Sequence, residues 1–284
     1  MRHIDHVVVA VRDLDRAAEL YGLLGFQVGA RNRHPWGTDN RIIQFRSSFI
    51  ELITISDNAK QMVPHQQRHF SFGAFVQDFL ARRDGLAMLA LSSADAASDA
   101  ALFAKRGISE YEPFSFQREA RRPDGATTRV GFTLAFAQDQ SASEAGFFVC
   151  QQHYPANFWD RSFQQHVNLA ADISAVTLTA ADPKRHEEFL TWFSGASPRS
   201  WAGAGIRFDL EGGRIEIHSA LEARTQPIPA TQWTSFAVRV DAMESVAHRL
   251  AVEGIPFRER DGAMIPAPDL LGNVELRFET NTPV

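Results

Sequence analysis

Cysteine is nearly missing from this chain. Cys150 stands alone among 284 residues, so no intramolecular disulfide framework can exist, and such usage suits a reducing compartment. Long apolar runs are missing too: no stretch approaches the ~18 residues of a membrane-spanning helix, and the N-terminus lacks a secretory apolar core. The expectation from both absences is a cytoplasmic protein. An excess of basic charge is also lacking. The formal net charge of −5 gives no electrostatic reason to expect nucleic acid or an anionic membrane as partner. A homodimer stays open on these grounds. What is present is an ordinary globular composition, 44% hydrophobic and 22% charged, in a length that suits one large or two modest domains.

The first fifty residues organise the rest. Ile4 to Asp13 and Phe49 to Ile53 are short, β-branched runs that read as strands. Asp13 to Leu24 reads as a helix with an Asp cap and Gly25 as its stop. Phe26–Ala30 and Ile42–Phe45 supply two more strands, so the unit is strand–helix–strand–strand–strand. In the first strand Ile4, His6, Val8 and Ala10 share one face and Val7, Val9 and Val11 the other. In the last, Phe49, Glu51 and Ile53 share a face. Each strand is apolar on both sides yet carries an ionisable group, the pattern of a sheet covered by a helix on one side and enclosing a cavity on the other.

The unit recurs three times with decay. The second copy runs from Gly85–Leu91 through an Ala-rich helix after Asp95 to strands at Arg129–Phe136 and Gly146–Gln152. In the third, Ile173–Thr179 is followed by Asp182-Pro183, a favoured helix start, a helix through Phe193, and strands at Gly205–Leu210 and Arg214–His218. Thr234–Val240, a helix over 242–253, Pro256–Arg260 and Asn273–Phe278 make the fourth. Three copies end in a strand with Glu: Glu51, Glu216 and Glu275. Met88, Ala175 and Phe236 stand where the first copy has His6. Four units imply two paired domains, 1–168 and 169–284. The joining stretch from Tyr154 to Asn168 is aromatic and not Gly/Ser-rich, so it is expected to be packed and to let the domains move little.

The run IDHVVVAVRDLDRAAELYGLLGF followed by FIELI resembles the opening module of the vicinal oxygen chelate superfamily, which includes glyoxalase I, extradiol dioxygenases and bleomycin-resistance proteins. The added HPWGTDNR, His34 to Arg41, is similar to the branch of glyoxalase-like domain proteins. The resemblance implies an α+β fold of four βαβββ modules paired into two glyoxalase-like domains with cup-shaped mixed sheets. It also implies that His6 and Glu51 bind a divalent metal (Fe, Mn, Ni or Zn) and that further ligands come from the partner module. Met88 is a poor ligand there. If Phe148 and Cys150 face the helix, Gln151 and His153 face the cup, and either completes the site: His153 as in two-His, one-carboxylate iron enzymes, Gln151 as in a glyoxalase that has lost a ligand. The implied activity is a metal-dependent lyase or isomerase, with Glu51 doubling as catalytic base, or a dioxygenase. The alternative is a metal-free protein that sequesters a small molecule in the same cup.

Substrate contacts are expected from Arg33, His34, Trp36, Asn40 and Arg41, with Phe72 and Trp159 as further wall. The two arginines suit a carboxylate or phosphate and Trp36 suits a ring, although Pro35, Gly37, Asp39 and Asn40 would equally build a rigid hairpin loop. Arg118, Arg121 and Arg122 form a basic cluster that reads as a solvated face or as a device for steering an acidic substrate. Cys150 reads as a packed structural thiol. Glu216 and Glu275, without a first-strand His, read as polar lining of a metal-free second cup, where His218 keeps a weak second site open.

Overall fold

The computed structural model describes residues 1–57, 62–121, 127–220, 231–267, 271 and 274–280; the side chains of Arg121 and Arg122 in the basic cluster lie outside the described set. The chain is α+β, with the βαβββ unit present four times. The first unit comprises β1 (Ile4–Ala10), α1 (Leu14–Leu23), β2 (Asn32–Arg33), β3 (Thr38–Gln44) and β4 (Phe49–Ile55). An inserted helix α2 (Phe72–Arg82) leads to the second: β5 (Gly85–Ser92), α3 (Ala96–Lys105), β6 (Phe114–Arg121), β7 (Thr127–Ala137) and β8 (Gly146–Gln152). After the short α4 (Pro155–Phe158) come β9 (Ala170–Ala180), α5 (Glu187–Ser194), β10 (Pro198–Trp201), β11 (Gly205–Leu210) and β12 (Gly213–Ser219). The last unit is β13 (Gln232–Val240), α6 (Met243–Val252), β14 (Phe257–Arg260), β15 (Ala263–Pro266) and β16 (Glu275–Glu279). No helix among the described residues is long and apolar enough to cross a membrane.

Local chemistry sets these boundaries. Asp13 accepts a hydrogen bond from Arg16 N, Asp95 from Ala97 N and Ser98 N, and Asp182 from Lys184 N, each satisfying donors that a helix start leaves open. Residues 26–30, expected as a strand, are not one. Their amides are spent elsewhere: Phe26 N donates to Tyr21 O and Gln27 N to the His166 ring. β3 starts four residues earlier than expected, and β6, an edge strand whose described side chains alternate half-buried and exposed, was not expected. In the fourth unit the cap is Ala242, which aligns Ser235 with His6; Phe236 lies in the core on the other face.

Two eight-stranded sheets result, β2-β3-β4-β1-β5-β8-β7-β6 and β10-β11-β12-β9-β13-β16-β15-β14. In the first, β1 runs parallel to β4, β5 parallel to β8, and β1 meets β5 antiparallel at the centre. The second repeats this plan with β9, β12, β13 and β16. Alternation then divides the side chains. Val7, Val9, Leu89, Phe147 and Val149 join Val176, Phe193, Trp233 and Phe236 in one core shared by both sheets. Val8, Ala10, Phe49, Ile53, Phe132 and Phe148 line the opposite face of the first sheet, closed by Phe72, Val76 and Phe79 of α2. Trp233 Nε1 donates to Gly146 O (3.2 Å) and Phe147 lies 5.2 Å from Trp233, stitching the sheets together. The stretch before β9 is bonded along the first unit: Gln44 Nε2 donates to Phe158 O, Gln164 Nε2 to Phe45 O, and Asn168 Nδ2 to Leu24 O.

Candidate functional site

Parallel pairing of β1 with β4 sets Val8 opposite Glu51 and His6 opposite Phe49, so His6 and Glu51 open into the first cup side by side. His6 Nε2 lies 3.9 Å from Glu51 Oε2. The imidazole stacks on Phe49 (4.1 Å) and meets the edge of Phe148 (5.2 Å). Between Ile4 and His6, β1 advances two residues while β5 advances one, from Leu91 to Ala90. Asp5 is therefore the extra residue of a bulge, and simple alternation no longer separates it from His6. His6 Nδ1 donates to Asp5 Oδ1 at 2.6 Å, and Gln152 Nε2 donates to Asp5 Oδ2 at 2.8 Å. Because a carboxylate only accepts, Nδ1 is the donor of that bond, and Nε2 is the ring nitrogen turned toward Glu51 and the cup.

Glu51 is held from its other side. Asn40 Nδ2 donates to Glu51 Oε1 at 2.5 Å, His34 Nε2 lies 3.4 Å from the same amide, and His34 Nδ1 lies 2.9 Å from Thr38 Oγ1. Burial pushes the His34 pKa down against the pull of Glu51, keeping that imidazole neutral near pH 7. The cup floor is thus a polar row, His6, Glu51, Asn40, His34, with Asp5 bonded to His6 behind it, walled by Trp36, Phe49, Phe72, Phe116, Phe132 and Phe148 around roughly 520 Å³ of space that includes the open solvent at the mouth. Arg118, from β6, lies on the same wall.

His34, Trp36, Asn40 and Phe72 therefore come together with His6 and Glu51 as expected from the sequence. The other expected residues do not. Phe148 and Cys150 face the cup, which reverses the parity on which Gln151 and His153 depended. Gln151 instead caps α3, accepting from Ala96 N and donating to Ala94 O, and His153 Nε2 bonds Thr133 Oγ1. Arg41 points to the opposite face of β3, to Asp15 and Gly29 O, and Arg33 is exposed beside Asp39. Trp159 packs behind the cup on Phe158 and Phe49 (5.0 and 6.0 Å). Asp5, Phe116, Arg118 and Cys150 were missed. Alternation in 114–118 carried the signal for two of them, but the bulge that admits Asp5 leaves no mark in the sequence.

The second unit supplies no matching pair. Aligned on Asp13 and Asp95, His6 corresponds to Met88 and Glu51 to Phe148. Gly146 stands where Phe49 does, and a Cβ there would approach Met88 Cγ to 2.4 Å, so Met88 fills the place that a ring occupies in the first half. Donor atoms of Asp5, His6 and Cys150 do lie within 4.8 Å of one another. Burial, reinforced by Asp5 and Glu51, raises the Cys150 thiol well above its ordinary pKa.

The glyoxalase-like domain family matches residues 4–193, more than half of the chain. The chain belongs to this family, within the vicinal oxygen chelate superfamily. Solved structures share the fold over nearly the whole length. A hypothetical protein from Staphylococcus aureus is 13% identical, with 99% of this chain and 100% of that one covered and a TM-score of 0.71. A mutant 4-hydroxymandelate synthase from Streptomyces coelicolor is 12% identical (98% and 92% covered, TM-score 0.59). The Mn(II)-bound glyoxalase from Novosphingobium aromaticivorans is 14% identical (99% and 87%, 0.55). At such identities the likeness is one of fold. No curated protein matches the sequence.

Proposed function

We propose that the first cup is a divalent-metal-dependent lyase or isomerase site for a small molecule with vicinal oxygens. One observation carries this reading: Asp5 holds the His6 ring so that Nε2 faces the cup 3.9 Å from a Glu51 oxygen, while Asn40 steadies the other Glu51 oxygen. A histidine whose far nitrogen donates to a carboxylate is how metal-ligating imidazoles are commonly oriented. The donor chemistry fits an ion on this side of the cup: His6 and Glu51 would be its ligands, and Asp5 and Cys150 place two further donors within 4.8 Å of His6. When bound, such an ion supplies Lewis acidity to substrate oxygens. Glu51 is the base placed to move a proton at the adjacent carbon. Lyase or isomerase chemistry is favoured over oxygen insertion because His153, the second histidine that a two-His, one-carboxylate triad would use, points away.

A second reading, a metal-free binding protein, draws on Met88 and Phe148, which put apolar groups where the partner unit would provide ligands. Elemental analysis of untagged protein beside a His6→Ala/Glu51→Ala variant separates the two. About one equivalent of Mn, Fe, Ni or Zn in wild type, lost in the variant, is the expected result. No ion in wild type after reconstitution would leave the binding reading.

A further inference from the structure

Two donors of the cup stand out: Trp36 Nε1 has no acceptor, and Arg118 has no carboxylate partner among the described residues. Arg118 stands on β6, where Phe114, Phe116 and Arg118 turn inward and Ser115, Gln117 and Glu119 turn outward. Among the described residues its guanidinium forms no ion pair, and its hydrogen bond is a long one, 3.4 Å to the Glu119 carbonyl. Arg33, Arg41 and Arg31 at the same end of the sheet are all paired with Asp15 or Asp39. Glu51 lies close enough for its charge to act on Arg118, yet that carboxylate is bonded to Asn40. Trp36 supplies the second donor. Its ring is fixed between His34 (4.5 Å, stacked) and Phe116 (4.8 Å, edge-on), and its Nε1 is buried with no acceptor. A buried N–H without an acceptor is unfavourable by an amount a protein rarely leaves standing, and the half-buried Arg118 beside it is a cation with no carboxylate bonded to it among the described residues. Both line one aromatic cavity.

We propose that the cup recognises a flat, apolar anion, an arene bearing a carboxylate or similar planar oxyanion. Arg118 receives the oxyanion in forked geometry, Trp36 Nε1 adds a second donor, and the phenyl walls enclose the ring. Like-charge repulsion keeps the acid group away from Glu51, so the ring's other end is the one presented to His6 and Glu51. This recognition deepens the reading of the cup as the ligand site and holds with or without an ion there.

The test uses chelator-treated protein and two matched probe pairs, benzoate with benzamide and 2-naphthoate with 2-naphthamide, followed by calorimetry and tryptophan fluorescence. The acid of at least one pair is expected to bind about tenfold or more tightly than its amide. Arg118→Gln should erase that preference while leaving amide binding within about twofold, and Arg118→Lys should keep part of it. His6→Ala/Glu51→Ala, which removes both the ligands and the repelling carboxylate, should keep or enlarge it, and this separates the result from the metal content of the site. Equal affinity for acid and amide, an unchanged preference in Arg118→Gln, or no binding of any probe to protein with a native melting transition would overturn the proposal.

Discussion

The two cups place a carboxylate at the same step and surround it in opposite ways. Glu51 pairs with Val8 across β4 and β1, and Glu216 pairs with Thr177 across β12 and β9. Glu51 meets a neutral amide at 2.5 Å and an imidazole at 3.9 Å. Glu216 meets Arg214 at 2.6 Å, Arg277 at 3.2 Å and His218 at 3.2 Å, while Arg214 also bonds both oxygens of Glu279. Burial alone would raise the Glu216 pKa, yet His218 and the two arginines hold it well below the usual carboxylate range. The fold thus sets where the carboxylate stands, and its neighbours decide whether it is free to act. In the second cup it is structural; in the first it remains addressable by a ligand.

The largest effect that separates the cups follows from this. Glu216→Gln leaves Arg277 without its buried ion-pair partner and Arg214 with Glu279 alone, and should cost about 3 kcal/mol, the low end for such a loss because Arg214 keeps a carboxylate and both arginines keep some solvent exposure. Glu51→Gln keeps its volume and the Asn40 contact, and should change stability by about 1 kcal/mol or less. Urea unfolding of the two variants side by side checks this, and equal losses would dissolve the contrast.

Much of this frame was readable in advance, because repeated signals encode it. Three Asp-capped helices, alternating strands and Glu51 and Glu216 at matching strand ends all rest on local periodicity, which survives without tertiary information. His6 and Glu51 were readable from strand alternation together with the family resemblance, His34, Trp36 and Asn40 from the chemistry of the stretch leading into β3, and Phe72 from an aromatic stretch before a helix. On β8 the decision between faces hung on one parity choice, and a one-residue slip exchanges every side chain; hence Cys150 and Phe148 face inward and Gln151 and His153 do not. Arg118 looked like a solvated charge because β6 is polar and short of β-branched residues. What turns it inward is pairing with β7, a non-local fact.

Asp5 supplies the next prediction, of intermediate size. Asp5→Asn keeps an acceptor for His6 Nδ1 but removes the charge that favours Nε2 as ligand, and the second cup has no such His–Asp couple at Ala175. Metal affinity should fall about 10- to 100-fold with melting temperature little changed. Unchanged affinity in a competition titration would assign Asp5 to packing alone.

Acid should separate the halves more gently. His34 and His166 are both pushed below their ordinary pKa by burial. His166 accepts from Gln27 N (3.0 Å) through Nδ1 and donates to Gln44 O (2.8 Å) through Nε2, an arrangement that requires the neutral ring. Folded pKa values below the unfolded ~6.5 mean that the unfolded chain binds more protons beneath that pH, so stability is complete above it and falls as pH drops toward the folded values. At pH 5.5 each ring accounts for at most about 1.4 kcal/mol. Glu216 and Glu279, with pKa values held below the usual range, keep their contribution at that pH and lose it only as acid passes below the unfolded carboxylate value near ~4.3. Between pH 7.5 and 5.5 the decline should therefore arise in the first half of the chain. His166→Gln should shallow the fall in melting temperature across that range, and Glu216→Gln should leave its slope as in wild type. A slope altered by Glu216→Gln and not by His166→Gln would reverse the assignment of acid sensitivity between the two cups.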